Sequence, residues 1–380
     1  GGHGGSCCVR HGPGAAEAVP GGRLMAGLAR VAILGASGYI GGEALRLLLA
    51  HPSVEVVAAT SPSHAGRPVT TVHPHLTKLT DLVFSADLSA GELADLDAVF
   101  LALPHGGALR RVPEILAAAG SGGPRGEGPS VFDLSGDFRL KDPAQFQKYY
   151  KLEPAPGHLT ANAAYGLTEW NRDAIHAARL VACPGCFPTG ALLALTPLAR
   201  AGLLDGPVVV DSKTGSSGSG KEPGEGTHHP TRAGDFRAYG QFTHRHTPEI
   251  AQELSKWRQS PACPLRVTFT PHSAPMVRGI FTTAYAFPSR PVSAEELEAL
   301  YTDAYADEPF VRLVDSPRVG VVAHSNFCDI HPATDGAGTI VVTSAIDNLV
   351  KGGAGQAVQN LNVAFGWPER IGLSFPGTQP

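Results

Sequence analysis

The segment from Arg30 to Ser61, "RVAILGASGYIGGEALRLLLAHPSVEVVAATS", alternates between two kinds of pattern. Val31–Leu34 is an unbroken apolar run, which predicts a strand buried on both faces. Apolar residues then recur at helical spacing to about Leu49, and Val54–Ala59 is again continuous and apolar. The prediction is a β–α–β unit with glycines in its first turn. "LDAVFLALPHGG" predicts a third buried strand that ends at Pro104–Gly107, and "SVFDLSGDFRL" a fourth that ends near Asp133–Arg139. Between them Gly120–Pro129 reads as a glycine-rich surface loop. "RLVACPGCFPTG" brings one more strand end to the same edge.

The pattern changes in the second half. "GPVVVDSK" is a strand, followed by a long polar loop. "PLRVTFTPHS" and "VRGIFTTAYAFPS" alternate with a period of two, as strands of a half-exposed sheet do. "SAEELEALYTDAYADE" reads as a surface helix capped by Ser293, and the stretch from Gly338 to Trp367 as a strand followed by a helix. There is no internal repeat. The expected class is α/β: a dinucleotide-binding domain over 29–185 and an α+β domain over 186–345. A C-terminal segment, 346–380, is expected to return to the first domain. Residues 1–28 read as a disordered tail. Gly1–Arg23 holds too little apolar surface to offset its ordering entropy, so Met25 is a candidate start and Cys7 and Cys8 are bystanders.

Composition narrows the function classes. A chain of 380 residues with a net charge of -4 gives no reason to expect nucleic acid or a membrane surface as partner. No apolar run is long enough to span a bilayer. Six cysteines in so long a chain are not a disulfide framework, so a reduced, cytoplasmic protein is expected.

The glycine turn carries the first chemistry. Gly35, Gly38 and Gly41 lie between strand and helix, where backbone N–H groups can approach a pyrophosphate at a helix N-terminus. An NAD site usually has an acid at the end of the second strand. Here Thr60, Ser61, Pro62 and Ser63 stand there, followed by Arg67, which favours NADP. The second chemistry is the C-x-x-C of Cys183 and Cys186. Cys263 and Cys328 are single and far apart, so four zinc ligands are not available and no metal is expected. A redox pair or an inert buried pair are alternatives. The favoured reading is one nucleophile. Pro184–Gly185 turns the chain, Pro188 suits the first position of a helix, and Pro197 predicts a kink in it. Cys186 then lies at that helix's N-terminus, a location that lowers a thiol pKa. "FTHRHTPEI" supplies a base: Thr243–His246 is expected to be extended, with His244 and His246 pointing the same way, and Thr247–Pro248 to begin a helix reaching Trp257. Arg139 and Lys213 are candidates for substrate phosphate or carboxylate.

"VACPGCFPTGALLALTP" resembles the active-site signature of the N-acetyl-γ-glutamyl-phosphate reductases, a family that includes the reductases of LysW-linked aminoadipate 6-phosphate. "GASGYIGGEALRLL", "LALPHG", "DLSGDFRL", "HRHTPEI" and "AIDNLVKGGAGQAVQNLN" resemble its other landmarks, in order, from about Arg30 to the C-terminus. The resemblance implies NADPH-dependent reduction of an acyl phosphate to a semialdehyde, with Cys186 as nucleophile and His244, or else His246, as acid–base. It also implies that Ser37, Gly38, Tyr39 and Ile40 hold the cofactor phosphates, that Thr60–Pro62 lie by the adenosine ribose, and that Asn348 lies near the cofactor. A homotetramer or dimer is implied as well. "PGCFPTG" looks like the acetylated-substrate branch, whereas "GTHHPTRAGDFRAY" and "GLSFPGTQP" look like the carrier-linked branch, whose partner is an acidic carrier protein. Lysine synthesis is favoured by a small margin over arginine synthesis. A phosphorylating semialdehyde dehydrogenase of another amino acid, such as aspartate, and a non-catalytic NADP-binding sensor are the alternatives.

Overall fold

A computed structural model of the chain describes residues 27–118, 122–258 and 264–379. The expected tail Gly1–Arg23, Met25, Cys7, Cys8, Cys263 and the Gly120–Ser121 part of the glycine-rich loop lie outside the described residues.

Six strands form the first sheet: β1 (Ala29–Leu34), β2 (Val54–Thr60), β3 (Ala98–Leu101), β4 (Ser130–Asp133), β5 (Ala164–Tyr165) and β6 (Leu180–Ala182). Their spatial order is β2-β1-β3-β4-β6-β5, and every pairing is parallel. Parallel strands of this length need cover on both faces, which is why β3, β4 and β6 are buried at every position. One face carries the helix Tyr39–Leu49 together with the C-terminal helix Gly355–Ala364. Leu45 and Leu48 share a core with Val358 and Leu361. The other face is covered by the helix Gly107–Ala117 through Val112 and Ile115.

The second sheet has seven strands: β7 (Val208–Thr214), β8 (Arg237–Ala238), β9 (Val267–Ser273), β10 (Ile280–Ala286), β11 (Val311–Leu313), β12 (Cys328–Thr334) and β13 (Ile340–Ile346). The order is β11-β12-β13-β10-β7-β9-β8, with mixed directions. Strands β7 and β10 alternate between buried and half-buried residues, so only one face is packed. That face holds the helix Cys186–Arg200: the Ser344 hydroxyl donates to the Gly190 carbonyl at 3.0 Å, and Gly190 sits within van der Waals reach of Thr282.

This helix runs through Pro197 to Arg200 without a break. Proline removes the N–H that would have bonded the Leu193 carbonyl. The buried Tyr305 hydroxyl donates to that carbonyl instead, and Tyr301 donates to Ala194 at 2.5 Å. A tertiary donor thus replaces the lost helical one, and the helix continues past the proline. Among the described residues no helix is long and apolar enough to cross a membrane.

Candidate active site

Cys186 is the first residue of its helix, with Gly185 as the cap. Pro188 therefore stands at the third helical position, where its missing N–H is still harmless. Cys183, by contrast, ends the strand region and is 1% exposed. Burial pushes the Cys183 thiol up to about 12, and the Asp133 carboxylate adds to that. Cys186 is half-buried. Its thiol is also raised, because burial outweighs the attraction of Arg139, the Phe187 N–H and Arg245; Glu249 opposes those three. The helix terminus alone does not deliver a low thiol pKa here. The two cysteines are nonetheless unequal, and the cations face Cys186.

The histidines arrive by a different route from the one expected. Thr243 and His244 both donate their N–H to the Gly240 carbonyl, so this segment is a turn. The helix starts at His246, with Arg245 in the α region as its cap, and Pro248 falls inside the first turn. Both imidazoles still converge, with ring centroids 4.8 Å apart. The His246 ring is 6% exposed and lies flat on Gly185: an added Cβ there would fall 2.5 Å from Nε2. His244 is half-buried among Phe187, Phe269 and Tyr239. Its Nδ1 accepts the His246 N–H at 3.2 Å, which leaves the proton on Nε2. Burial, then Arg245, lowers His244 to about 4. His246 is lowered too, by burial first and then by His244 and the neighbouring arginines. Both imidazoles are neutral near pH 7.

Arg139 and Glu249 tie these pieces together. Arg139, 5% exposed, donates Nε to the Cys183 carbonyl at 2.7 Å and Nη2 to the Leu134 carbonyl at 3.1 Å. Its Nη1 lies 3.5 Å from Glu249. Glu249 in turn accepts the Gly185 N–H and the Tyr165 hydroxyl, each at 2.8 Å. The guanidinium is thus held beside the cysteine loop as a fixed positive charge. Lys213 is not brought to this group. It lies on the face of the second sheet opposite the Cys186 helix and pairs with Asp211 at 2.5 Å.

The glycine turn lies across the backbone of Gly352 and Gly353 from the cysteine. Gly35 has φ +85°, and a Cβ there would fall 2.5 Å from the Ala102 carbonyl oxygen; one on Gly41 would fall 2.6 Å from the Gly35 oxygen. Gly35 and Gly41 thus let the turn close tightly, and Gly38, where a Cβ would meet nothing nearer than 3.9 Å, leaves bare backbone of the kind a dinucleotide pyrophosphate requires. Gly38 caps the helix and Tyr39, its first residue, is 47% exposed. At the end of β2, Thr60 accepts the Gly35 N–H and Ser61 donates to the Ser37 hydroxyl at 2.9 Å. A cavity of about 300 Å³ opens beside Thr60 and Pro62, with Arg110 and Arg111 on its far wall. Arg67 is exposed and not among its lining residues. The basic side chains that line this cavity thus come from the helix Gly107–Ala117, which the sequence pattern did not single out.

The wall between turn and thiol is the segment after β13. Asp347 accepts the N–H groups of Leu349 and Val350, and its carbonyl accepts that of Gly352. A Cβ on Gly352 would lie 3.0 Å from the Cys186 Cβ, and one on Gly353 would lie 2.7 Å from Ile40. Lys351, fully buried, anchors this stretch to Glu169 at 2.5 Å and Gln359 at 2.8 Å. Asn348 donates to the Ser217 hydroxyl at 3.0 Å and accepts the Gly279 N–H at 2.6 Å, so its side chain fastens the loop after β7. Glu249, Arg245 and Tyr239 were also missed. Glu249 and Arg245 lie within the histidine motif; nothing in the spacing marks Tyr239. Among the described residues no cluster of metal-ligating side chains is present.

Comparison with known proteins agrees with this architecture. Residues 30–178 match the semialdehyde dehydrogenase NAD binding domain, and residues 186–348 the semialdehyde dehydrogenase dimerisation domain. A putative [LysW]-L-2-aminoadipate 6-phosphate reductase of Thermomicrobium roseum is 47% identical over 363 residues, covering 92% of this chain and 99% of its own. The N-acetyl-gamma-glutamyl-phosphate reductase of Methanopyrus kandleri is 46% identical over 357 residues, with the same coverage. Among solved structures, aspartate semialdehyde dehydrogenase II of Vibrio cholerae, complexed with ASA, superposes with a TM-score of 0.64 at 17% identity, covering 88% of this chain and 98% of that one. The NADP complex of the Candida albicans aspartate enzyme gives 0.63 at 14% identity, with the same coverage. These two share the fold. The chain belongs to the semialdehyde dehydrogenase family, in the branch of the N-acetyl-γ-glutamyl-phosphate and LysW-aminoadipate 6-phosphate reductases, and is an NADP-dependent oxidoreductase of the phosphorylating class.

Proposed function

We propose that this protein reduces the acyl phosphate of an N-blocked acidic amino acid to its semialdehyde through a thioester on Cys186. The observation that carries this reading is the gathering around Cys186 of a helix N-terminus, two neutral histidines and a buried arginine, with the glycine turn on the other side of the Gly352–Gly353 backbone. Ser37, Gly38, Tyr39 and Ile40 would hold the pyrophosphate of NADPH, and Thr60, Ser61 and Pro62 its adenosine ribose. When bound, NADPH supplies the hydride that reduces the thioester carbon.

The chain's own residues do the rest. Only the thiolate attacks, so a base must take the Cys186 proton. His244, neutral and with Nδ1 already occupied as an acceptor, or His246 against Gly185, serves as that base. Thiolate attack on the acyl carbon expels phosphate. Arg139 and Arg245 favour the thiolate and the departing dianion alike. Backbone N–H groups at the start of the Cys186 helix face the tetrahedral oxygen. The protonated histidine lends its proton to the tetrahedral oxygen and takes it back as the C–S bond breaks, so that the neutral semialdehyde and the Cys186 thiolate are released.

For the substrate we favour the carrier-linked aminoadipate phosphate. The loop after β7 leaves two aromatics exposed: Phe242, two residues before His244, at 77% exposure and held at φ +60°, and Phe236, at 53%, stacked on the His272 ring. Large apolar side chains held out beside a site suit a macromolecular substrate. The loop's charge is balanced, with Lys221, Arg232 and Arg237 against Glu222, Glu225 and Asp235. Arg232 is turned inward onto the carbonyls of Thr214 and Ala274. Docking would thus rest on the aromatics more than on charge. NADPH oxidation with carrier-bound aminoadipate phosphate and with N-acetyl-γ-glutamyl phosphate, in parallel, tests this. Turnover of the carrier-bound compound alone supports it. Turnover of the acetylated compound alone moves the assignment to arginine synthesis.

A further inference from the structure

His73 lies outside every motif discussed so far, in a short turn after β2. It is 7% exposed, and its Nε2 lies 2.8 Å from the carbonyl oxygen of Ala36. A carbonyl only accepts, so Nε2 carries the proton and donates it. The ring lies against Gly42 in the helix that follows the glycine turn. A Cβ at Gly42 would fall 2.4 Å from the imidazole Cε1, so this seat exists only because residue 42 is glycine.

Ala36 is gripped from both ends. Its N–H donates to the Thr60 carbonyl at 2.9 Å, and its own carbonyl is taken by His73. The Ala36–Ser37 peptide is trans, so its C=O and N–H point to opposite sides of one plane. Fixing the carbonyl toward His73 therefore turns the Ser37 N–H away from His73, to the open side of the turn. Without the imidazole, the Ala36 carbonyl would be a buried acceptor with no partner. Rotating this peptide would relieve that cost and carry the Ser37 N–H out of position.

We propose that His73 is a positioning residue for the cofactor: by holding the Ala36 carbonyl it presets the Ser37 N–H for the pyrophosphate of NADPH. This rests on the reading of Gly35–Ile40 as the pyrophosphate cradle. It makes no claim on the cysteine chemistry. The loss expected on removing His73 is one oriented charge-assisted hydrogen bond, about tenfold in affinity.

The test is binding, without acyl phosphate. NADPH is titrated by its fluorescence, and 2′-AMP, which carries the ribose phosphate but no pyrophosphate, by calorimetry. His73→Leu is expected to weaken NADPH about tenfold and to leave 2′-AMP within twofold. His73→Gln, which keeps a donor of similar reach, is expected to restore NADPH to within threefold. Should the leucine variant not accumulate, His73→Asn, whose amide is too short to reach Ala36, takes its place with the same expectation. Gly41→Ala, which presses on the turn itself, is the control and is expected to weaken NADPH while sparing 2′-AMP. If Gly41→Ala weakens NADPH and His73→Leu does not, the role of His73 is overturned and the cradle stands. If Gly41→Ala also keeps full NADPH affinity, the cradle reading falls, and the proposal with it. Parallel loss of both ligands in His73→Leu overturns the proposal too, since that marks general collapse of the domain.

Discussion

Glu249 offers a perturbation whose two consequences have opposite signs. Its carboxylate is fully buried, accepts the Gly185 N–H and the Tyr165 hydroxyl, and faces Arg139 at 3.5 Å. Glu249→Ala leaves two donors without an acceptor, at about 1–3 kcal/mol each, and leaves the Arg139 charge uncompensated, at about 3–5 kcal/mol. These costs share one site and do not add in full; about 4–6 kcal/mol is expected, a large part of the stability of an ordinary domain. Glu249→Gln keeps an acceptor oxygen for Gly185 and Tyr165 and loses only the charge. About half that cost is expected, read from urea unfolding at pH 7.5. The same substitution removes a negative charge that opposes ionisation of Cys186 and leaves Arg139 facing the thiol. Alkylation of Cys186 by iodoacetamide at pH 7.5 should therefore be faster in the less stable protein, by about threefold to tenfold, with the midpoint of its pH profile moved down. An unchanged or slower alkylation rate would refute this account of the thiol's electrostatics. A stability loss under about 1 kcal/mol for Glu249→Ala would refute the account of the network.

Three further outcomes are expected. Arg110→Ala should raise the KM for NADPH about tenfold and leave NADH use unaltered, since only the 2′-phosphate would reach the wall of that cavity; equal effects on both cofactors would place the 2′-phosphate elsewhere. Stability should fall in acid. Burial, with Arg245 next and Arg139 after it, lowers His105 to about 3, and burial with Arg245 lowers His244 to about 4. The unfolded chain binds these protons near pH 6.5 and the folded protein does not, so the stability present above pH 6.5 is lost as pH drops toward 4, at about 1.4 kcal/mol per pH unit for each histidine. Asp133 works in the opposite sense: burial, then Asp137, raises it to about 7, so the fold gains a proton, and stability, as pH falls below 7. Asp133→Asn removes that offset and should steepen the acid limb by about 1.4 kcal/mol per pH unit; identical slopes would contradict the assignment.

What could be read from the sequence was what is local. The glycine turn, the buried strands around it and the start of a helix at the second cysteine all follow from short-range pattern. What the sequence did not show has tertiary causes. Pro197 is accommodated inside its helix because Tyr305, more than a hundred positions away, supplies a donor. The histidine segment folds as a turn because Gly240 accepts two N–H groups, and period-two reasoning does not apply to it. Lys213 is a candidate on charge alone, and strand alternation in the assembled sheet turns it to the face opposite the Cys186 helix. Cys186 was expected to be acidified by its helix terminus. Burial, which no local pattern reports, reverses the net direction. Glu249 and His73 act through partners 64 and 37 positions away, so neither role is written in its neighbourhood.

The central claim is that Cys186 carries the acyl group. Mixing the enzyme with the acyl phosphate substrate in the absence of NADPH, and measuring both released phosphate and the mass of the Cys186-containing peptide, tests it most directly. The account predicts a burst of one phosphate per chain and an acyl adduct on Cys186, absent in Cys186→Ser. No burst, or an adduct on Cys183, would contradict it.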